Sequence, residues 1–174
     1  MNIEEKQLKD FILDSGLISR VDLEALEKDR EKEGKTKRKP LGDLLVAAGK
    51  INDDELRRIT AHLLGIPFVS LKDQKINIDV LSLIPEPIAR KHNIVAFKKR
   101  ADSLEVAMLD TEDLAAIDFI KKKVKLKILP RLTDGDSMKA ALLQYQKSLK
   151  AEFGDIIAKE TESLKTIASE GGDE

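Results

Sequence analysis

The apolar positions of the N-terminal part of the chain fall into paired helical faces. In residues 41–48, Leu41, Leu44, Leu45 and Ala48 recur at the three-and-four spacing of an amphipathic helix. Gly49 follows, and glycine enters the left-handed conformation that ends a helix without a Cβ penalty. Asn52 predicts the cap of a second helix, with Glu55 three residues on completing a capping box. Leu56, Ile59 and Leu63 carry that helix's apolar face. Gly65 closes it and Pro67 forbids its continuation, so Pro67-Phe68-Val69 is expected to open a buried strand ending at Leu71.

The preceding stretch repeats this pattern. With Gly16 set on Gly49, an offset of 33, Leu8 falls on Leu41, Ile12 on Leu45, Ile18 on Ile51, Ser19 on Asn52, Leu23 on Leu56 and Leu26 on Ile59. Stop, cap and both apolar faces agree at one offset, which predicts a tandem helix-turn-helix repeat over 7–30 and 40–63. Asp22 takes the place of Glu55 in the first copy. Between the copies, residues 29–40 are dominated by charge and predict a solvated helix end and linker. Gly34-Lys35-Thr36 spells the end of a phosphate-binding loop, but Asp29 stands where that loop needs its first glycine, and a helix precedes it.

From residue 71 the pattern becomes mixed. Asp79 is expected to cap a short helix with Val80, Leu81 and Ile84, and Pro87 to open a helical turn through Arg90. Residues 93–97 and 103–108 read as a hairpin. The turn from Asp110 to Asp113 leads into a helix through Lys123, and residues 125–129, ending at Pro130, read as an edge strand. A long helix starts at Thr133 or Asp134, with Met138, Leu142, Tyr145 and Leu149 on one face. Beyond it Phe153, Ile156, Ile157, Leu164 and Ile167 keep a helical period, with packing on the same chain the simpler expectation, and the final SEGGDE predicts disorder. The predicted fold is α+β. A helical subdomain (1–70) of two helix-turn-helix repeats packs on a small mixed α/β subdomain (71–150) with a three- to four-stranded sheet, followed by a helical or disordered tail (151–174).

Composition narrows the function. Of 174 residues 41% are hydrophobic but only 3% aromatic, so the core is built from Leu, Ile, Val and Ala. Charged residues reach 36% yet cancel to a net −1, which argues against a dedicated nucleic-acid binder. There is no cysteine, which excludes disulfides and thiolate metal sites. The N-terminal MNIEEKQLKD lacks the apolar run of a signal peptide, and no apolar segment reaches spanning length, so a soluble cytoplasmic protein is expected. His62 and His92 stand alone without metal-ligand spacing, and no serine sits in a nucleophile elbow. Asp110, Glu112 and Asp113 gather at a helix start, where they complement its dipole. No catalytic or metal-ligating residues are assigned, and an enzyme is the class with least support.

The residues Leu41-Gly42-Asp43-Leu44-Leu45 with Gly49 and Ile51, then Leu64-Gly65-Ile66-Pro67-Phe68-Val69, carry a resemblance. With Leu83-Ile84-Pro85 before Ala89-Arg90 they resemble the N-terminal domain of type II secretion and type IV pilus assembly ATPases, the GspE or MshE N-terminal domain. The resemblance covers about residues 5–148, although Asp110-Thr111-Glu112-Asp113 lacks the proline of the family's Asp-Pro-x-Asp-like turn. It implies a non-enzymatic regulatory and docking module without the P-loop ATPase domain, either free-standing or part of a longer chain. The implied partners are a motor ATPase or an inner-membrane platform of a secretion or pilus machine, with peripheral placement at that membrane through them.

Some such domains bind cyclic di-GMP through two tandem motifs. The resemblance places those motifs on Leu8, Ile12 and Gly16 in the first copy and on Leu41, Gly42, Leu45 and Gly49 in the second. Ile18, Leu23, Ile51 and Leu56 also match. The polar readers are replaced: Gln7 and Pro40 stand for arginine, Lys9 for glycine, Arg30 and Leu63 for glutamine, and Ile59-Thr60 for Ala-Leu. Arginine stacks on a guanine and bonds its edge, whereas proline does neither. The expectation is therefore no cofactor, with cyclic di-GMP as the alternative ligand should Arg30, Lys39 or Arg57 substitute for the missing arginines.

Overall fold

The computed structural model of the chain describes residues 4–170. Among these the order is α1 (Glu5–Ser15), α2 (Arg20–Lys32), a 3-10 turn (Lys35–Lys37), α3 (Leu41–Ala47), α4 (Asp53–Leu64), α5 (Ile78–Leu81), α6 (Glu86–His92), β1 (Ile94–Lys99), β2 (Ser103–Met108), α7 (Leu114–Val124), β3 (Lys127–Leu132) and α8 (Gly135–Glu170). The fold is α+β, with a three-stranded mixed sheet in the order β1-β2-β3.

Helices α1 to α4 form two hairpins with equivalent turns. Gly16 and Gly49 both stand at φ 71°, a conformation that L side chains rarely adopt. Ser19 and Asn52 each cap the next helix, accepting from the N–H of Asp22 at 3.2 Å and of Glu55 at 2.8 Å. Only the second turn closes the reciprocal box, in which the Glu55 carboxylate accepts from the Asn52 N–H at 2.8 Å. Asp22, one methylene shorter, instead meets Lys50 of the other turn at 3.7 Å. The pairs Leu8/Leu41, Ile12/Leu45 and Ile18/Ile51 are all buried, and with Leu23 and Ile59 they form one apolar cluster.

A second, larger cluster surrounds the sheet. β1 and β2 pair antiparallel with a register shift between Ala96 and Lys98, while β2 and β3 run parallel and are joined through α7. Strand β2 is buried along its whole length. The first turns of α8 seal this core with Met138, Ala141 and Tyr145. The Tyr145 hydroxyl reaches the carbonyls of Leu81 (3.0 Å) and Ile84 (2.8 Å), which satisfies the end of α5. Tyr145→Phe is expected to cost about 1–2 kcal/mol, read as a lower urea midpoint with an unchanged slope.

Several local expectations are corrected. The strand expected from Pro67 is a single parallel bridge, Phe68 to Leu132, because Gly65 and Ile66 are still bonded back into α4. Asn77, not Asp79, caps α5, since its side chain accepts from the Asp79 N–H at 2.9 Å. Strand β3 runs through Pro130 to Leu132. The Leu132 N–H bonds outward to Pro67, so Pro130, two residues earlier, turns its missing N–H to the same outer side and breaks no bond to β2. The charged run 29–40 is not wholly solvated, since Arg30, in the last turn of α2, is 4% exposed. The tail continues α8 as far as Glu170, with Ile157 and Leu164 exposed rather than packed on the chain. The side chains of Leu149, Phe153, Ile156 and Ile167, and residues 171–174, lie outside the described residues.

Candidate interaction cleft

A cleft of about 300 Å³ opens where the helical hairpins meet the carboxyl ends of β2 and β3. Its floor is apolar, from Leu8, Leu41, Leu56, Leu109 and Leu132. Pro40, Gly42 and Thr60 complete the walls, and its charged groups are Glu5, Asp43, Asp53, Asp110 and Arg57. Gly42 packs closely against α4 here. A Cβ at this position would stand 2.9 Å from Leu56 Cδ1, so the glycine lets α3 approach α4.

The sequence-assigned residues divide among three places. Leu8, Leu41 and Gly42 line the cleft. Ile12 and Leu45 are fully buried beneath it and present no surface to a ligand. Gly16 and Gly49 sit at the hairpin turns, and Gly49 borders only a shallow depression beside Asn52. Of the substitute cations, Arg57 lines the cleft but bonds Asp54 at 2.7 Å, Lys39 is exposed, and Arg30 is buried against the Glu5 carboxylate with both terminal nitrogens. Glu5, Asp43, Asp53, Leu109, Asp110 and Leu132 were not assigned from sequence. They come from four different elements and connecting segments, and no single-sequence spacing joins them.

Contacts from α4 tie the hairpins to α8. Asp54 Oδ1 accepts from the Gly135 N–H at 3.0 Å, and Arg58 meets Asp134 at 3.4 Å while stacking over Phe68 at 4.6 Å. His62 packs against the Phe11 ring at 5.4 Å, and His92 Nδ1 meets Asp113 at 2.5 Å. Neither histidine lines the cleft. Among the described residues no group of three or more His, Asp or Glu is placed to hold a metal ion, and no helix is long and apolar enough to cross a membrane.

Three carboxyls in these contacts titrate below their ordinary values. Glu5 is lowered by the hydrogen bonds from Arg30, and Asp113 by its bond with His92. Burial pushes Asp134 up, but the Ser137 backbone and hydroxyl more than offset it. Unfolded, these groups bind protons near 4.5 for Glu and 3.8 for Asp; folded, they bind them lower. The unfolded chain therefore holds more protons in that window, and stability rises with pH across it. Their contribution is complete above about pH 5 and lost on acidification through the folded values. Urea midpoints are expected to be level from about pH 7 to 5 and to fall steeply below about 4.5; a level profile down to about pH 3 would remove these carboxyls as a source of stability.

Hairpins over a small mixed sheet, with a cleft at their junction, define an α+β domain of a recognisable class. Residues 64–152 match the MshEN domain, and the chain belongs to that family. It is 25% identical over 177 aligned positions to the type IV pilus assembly ATPase PilB of Myxococcus xanthus, covering 96% of this chain and 31% of that protein. It is 28% identical over 152 positions to PilB of Thermus thermophilus, covering 86% of this chain and 16% of that protein. The chain thus spans less than a third of either relative. Two solved structures share the fold. MshE with cyclic di-GMP has a TM-score of 0.61 at 23% identity, over 78% of this chain and 96% of that one. The N-terminal domain of XpsE has a TM-score of 0.52 at 17% identity, over 83% and 96%.

Proposed function

We propose that the chain is a non-enzymatic regulatory and docking module of a pilus or secretion motor, working at the cytoplasmic side of the inner membrane through protein partners. The observation that carries this reading is the match of 96% of the chain to a region making up only 31% of a pilus assembly ATPase. The geometry supports it, because the cleft holds no histidine and its one arginine is already paired with Asp54. The partner is a motor ATPase or membrane-platform component. The test is crosslinking in the source cell followed by identification of the captured proteins. Recovery of a motor or platform component is expected, and recovery of none would withdraw the proposal.

A second reading, a cyclic di-GMP sensor, is favoured by one observation: a solved structure with the same fold is MshE with that ligand. The leucines and glycine of the tandem motif reach the cleft here as Leu8, Leu41 and Gly42. Against it stand Pro40 in the cleft wall, in place of an arginine, and the carboxylates of Asp43, Asp53 and Asp110 facing a dianion. Calorimetry decides between the two: the docking reading expects no heat with about 100 μM dinucleotide, and saturable one-to-one binding would establish the sensor.

A further inference from the structure

We infer that the cleft between α3, α4 and the ends of β2 and β3 seats a basic peptide segment, one apolar side chain flanked by lysines or arginines. The inference rests on the docking reading and names the chemistry of the partner. Charge decides it. The Glu5 carboxylate is neutralised by Arg30 and flanked by Arg38 at 3.8 Å, and Arg57 is balanced by Asp54. Asp43, Asp53 and Asp110 make no ion pair among the described residues; Asp110 accepts only the Glu112 N–H, at 2.9 Å. Asp43 and Asp53 lie in the first turns of α3 and α4, and the two helix ends offset roughly half a charge each. Three carboxylates, less about one compensating charge from the helix ends and one from Arg38, which Glu5 does not balance because Arg30 already neutralises it, leave a rim of about −1 over the leucine floor.

That combination selects its occupant. Lysine and arginine lay their aliphatic stems on apolar surface while holding their charges at a polar rim. A volume of about 300 Å³ is at the lower end for ligand sites, enough for an anchoring side chain and small for a molecule with two guanines and two phosphates. An anion entering here meets the uncompensated rim, whereas a basic segment is drawn to it, most strongly at low salt.

The test is fluorescence anisotropy of the full chain with a fluorescein-labelled peptide, Lys-Lys-Leu-Lys-Lys. Saturable binding is expected, weakened about tenfold between about 50 and 300 mM salt. Asp43→Asn with Asp53→Asn, both on exposed side chains, is expected to weaken it at least about tenfold. A peptide with serine in place of leucine is expected to lose about as much, because the floor then has no anchor. Absence of saturation, an unchanged affinity in the double variant, or equal binding of the serine peptide would each overturn the inference. So would displacement of the peptide by cyclic di-GMP at about 100 μM, since the cleft would then hold an anion. Crosslinking of the double variant separates this inference from docking. If the variant still captures the component that the parent chain captures, docking stands and the cleft is not its seat.

Discussion

Leu45→Ala is expected to unfold the helical hairpins while leaving the sheet folded. Leu45 has no exposure and lies in a cluster of eight buried residues, against seventeen around the sheet. Truncating a fully buried leucine costs about 2–5 kcal/mol, most where the surroundings cannot collapse into the cavity. Here Leu41 and Ile12, equally buried, are held by the two glycine-stopped turns, so relaxation is limited and a cost of about 3–5 kcal/mol is expected. That approaches the whole stability of a small domain. Hydrogen exchange reads the result: amides of α1 to α4 should lose protection while those of β1 to β3 keep it. Leu114→Ala, on a side chain 66% exposed, is the control and should move stability by no more than about 0.5 kcal/mol. A uniform loss across the chain would show one cooperative unit and remove the proposed boundary near residue 70.

The features legible in the sequence were those written by local chemistry. A glycine after an apolar face, or an asparagine three residues before a glutamate, needs only its neighbours to act. Gly16, Gly49, Gly65, Ser19 and Asn52 therefore stand in the structure as the pattern predicts. Where two residues compete for one local role, the pattern chose the wrong one: Asp79 is expected to cap α5, but Asn77 does so because it stands immediately before the first helical residue, Ile78, where its side-chain oxygen accepts from the Asp79 N–H. Strand pairing was less legible. Phe68 reads as a strand from its neighbours, but its pairing depends on Leu132, far along the chain. The cleft was least legible, since Glu5, Asp53 and Asp110 meet only through tertiary packing. The family match also begins at Leu64, so the hairpins that carry the degenerate tandem motif lie before it. Of the residues the resemblance assigned there, Ile12 and Leu45 are buried in the hairpin core, while Leu8, Leu41 and Gly42 line the cleft.

Glu5→Ala is expected to destabilise the chain by about 2 kcal/mol, and Arg30→Met to leave it within about 1 kcal/mol of the parent. The asymmetry follows from burial. Arg30 is 4% exposed, both its terminal nitrogens rest on the Glu5 carboxylate, and its Nε has no hydrogen-bond partner. Removing Glu5 strands a buried guanidinium, at a cost of about 3–5 kcal/mol when the pair is fully enclosed. The Glu5 side chain is 43% exposed, so water enters on its removal and the expectation drops below that range. Methionine at position 30 removes the charge and the unpaired Nε together while keeping the aliphatic packing between α1 and α2. The two changes should not add. In the Arg30→Met background, Glu5→Ala should cost almost nothing, so that a double-mutant cycle in urea returns a coupling of about 2 kcal/mol. The coupling should also vanish as the pH falls through the folded value of Glu5, which Arg30 holds below the ordinary carboxylate range, because a protonated Glu5 no longer offers a charge. Equal costs for the two single changes, or a coupling that persists in acid, would show that Arg30 is held by packing and that Glu5 contributes only as a neighbour.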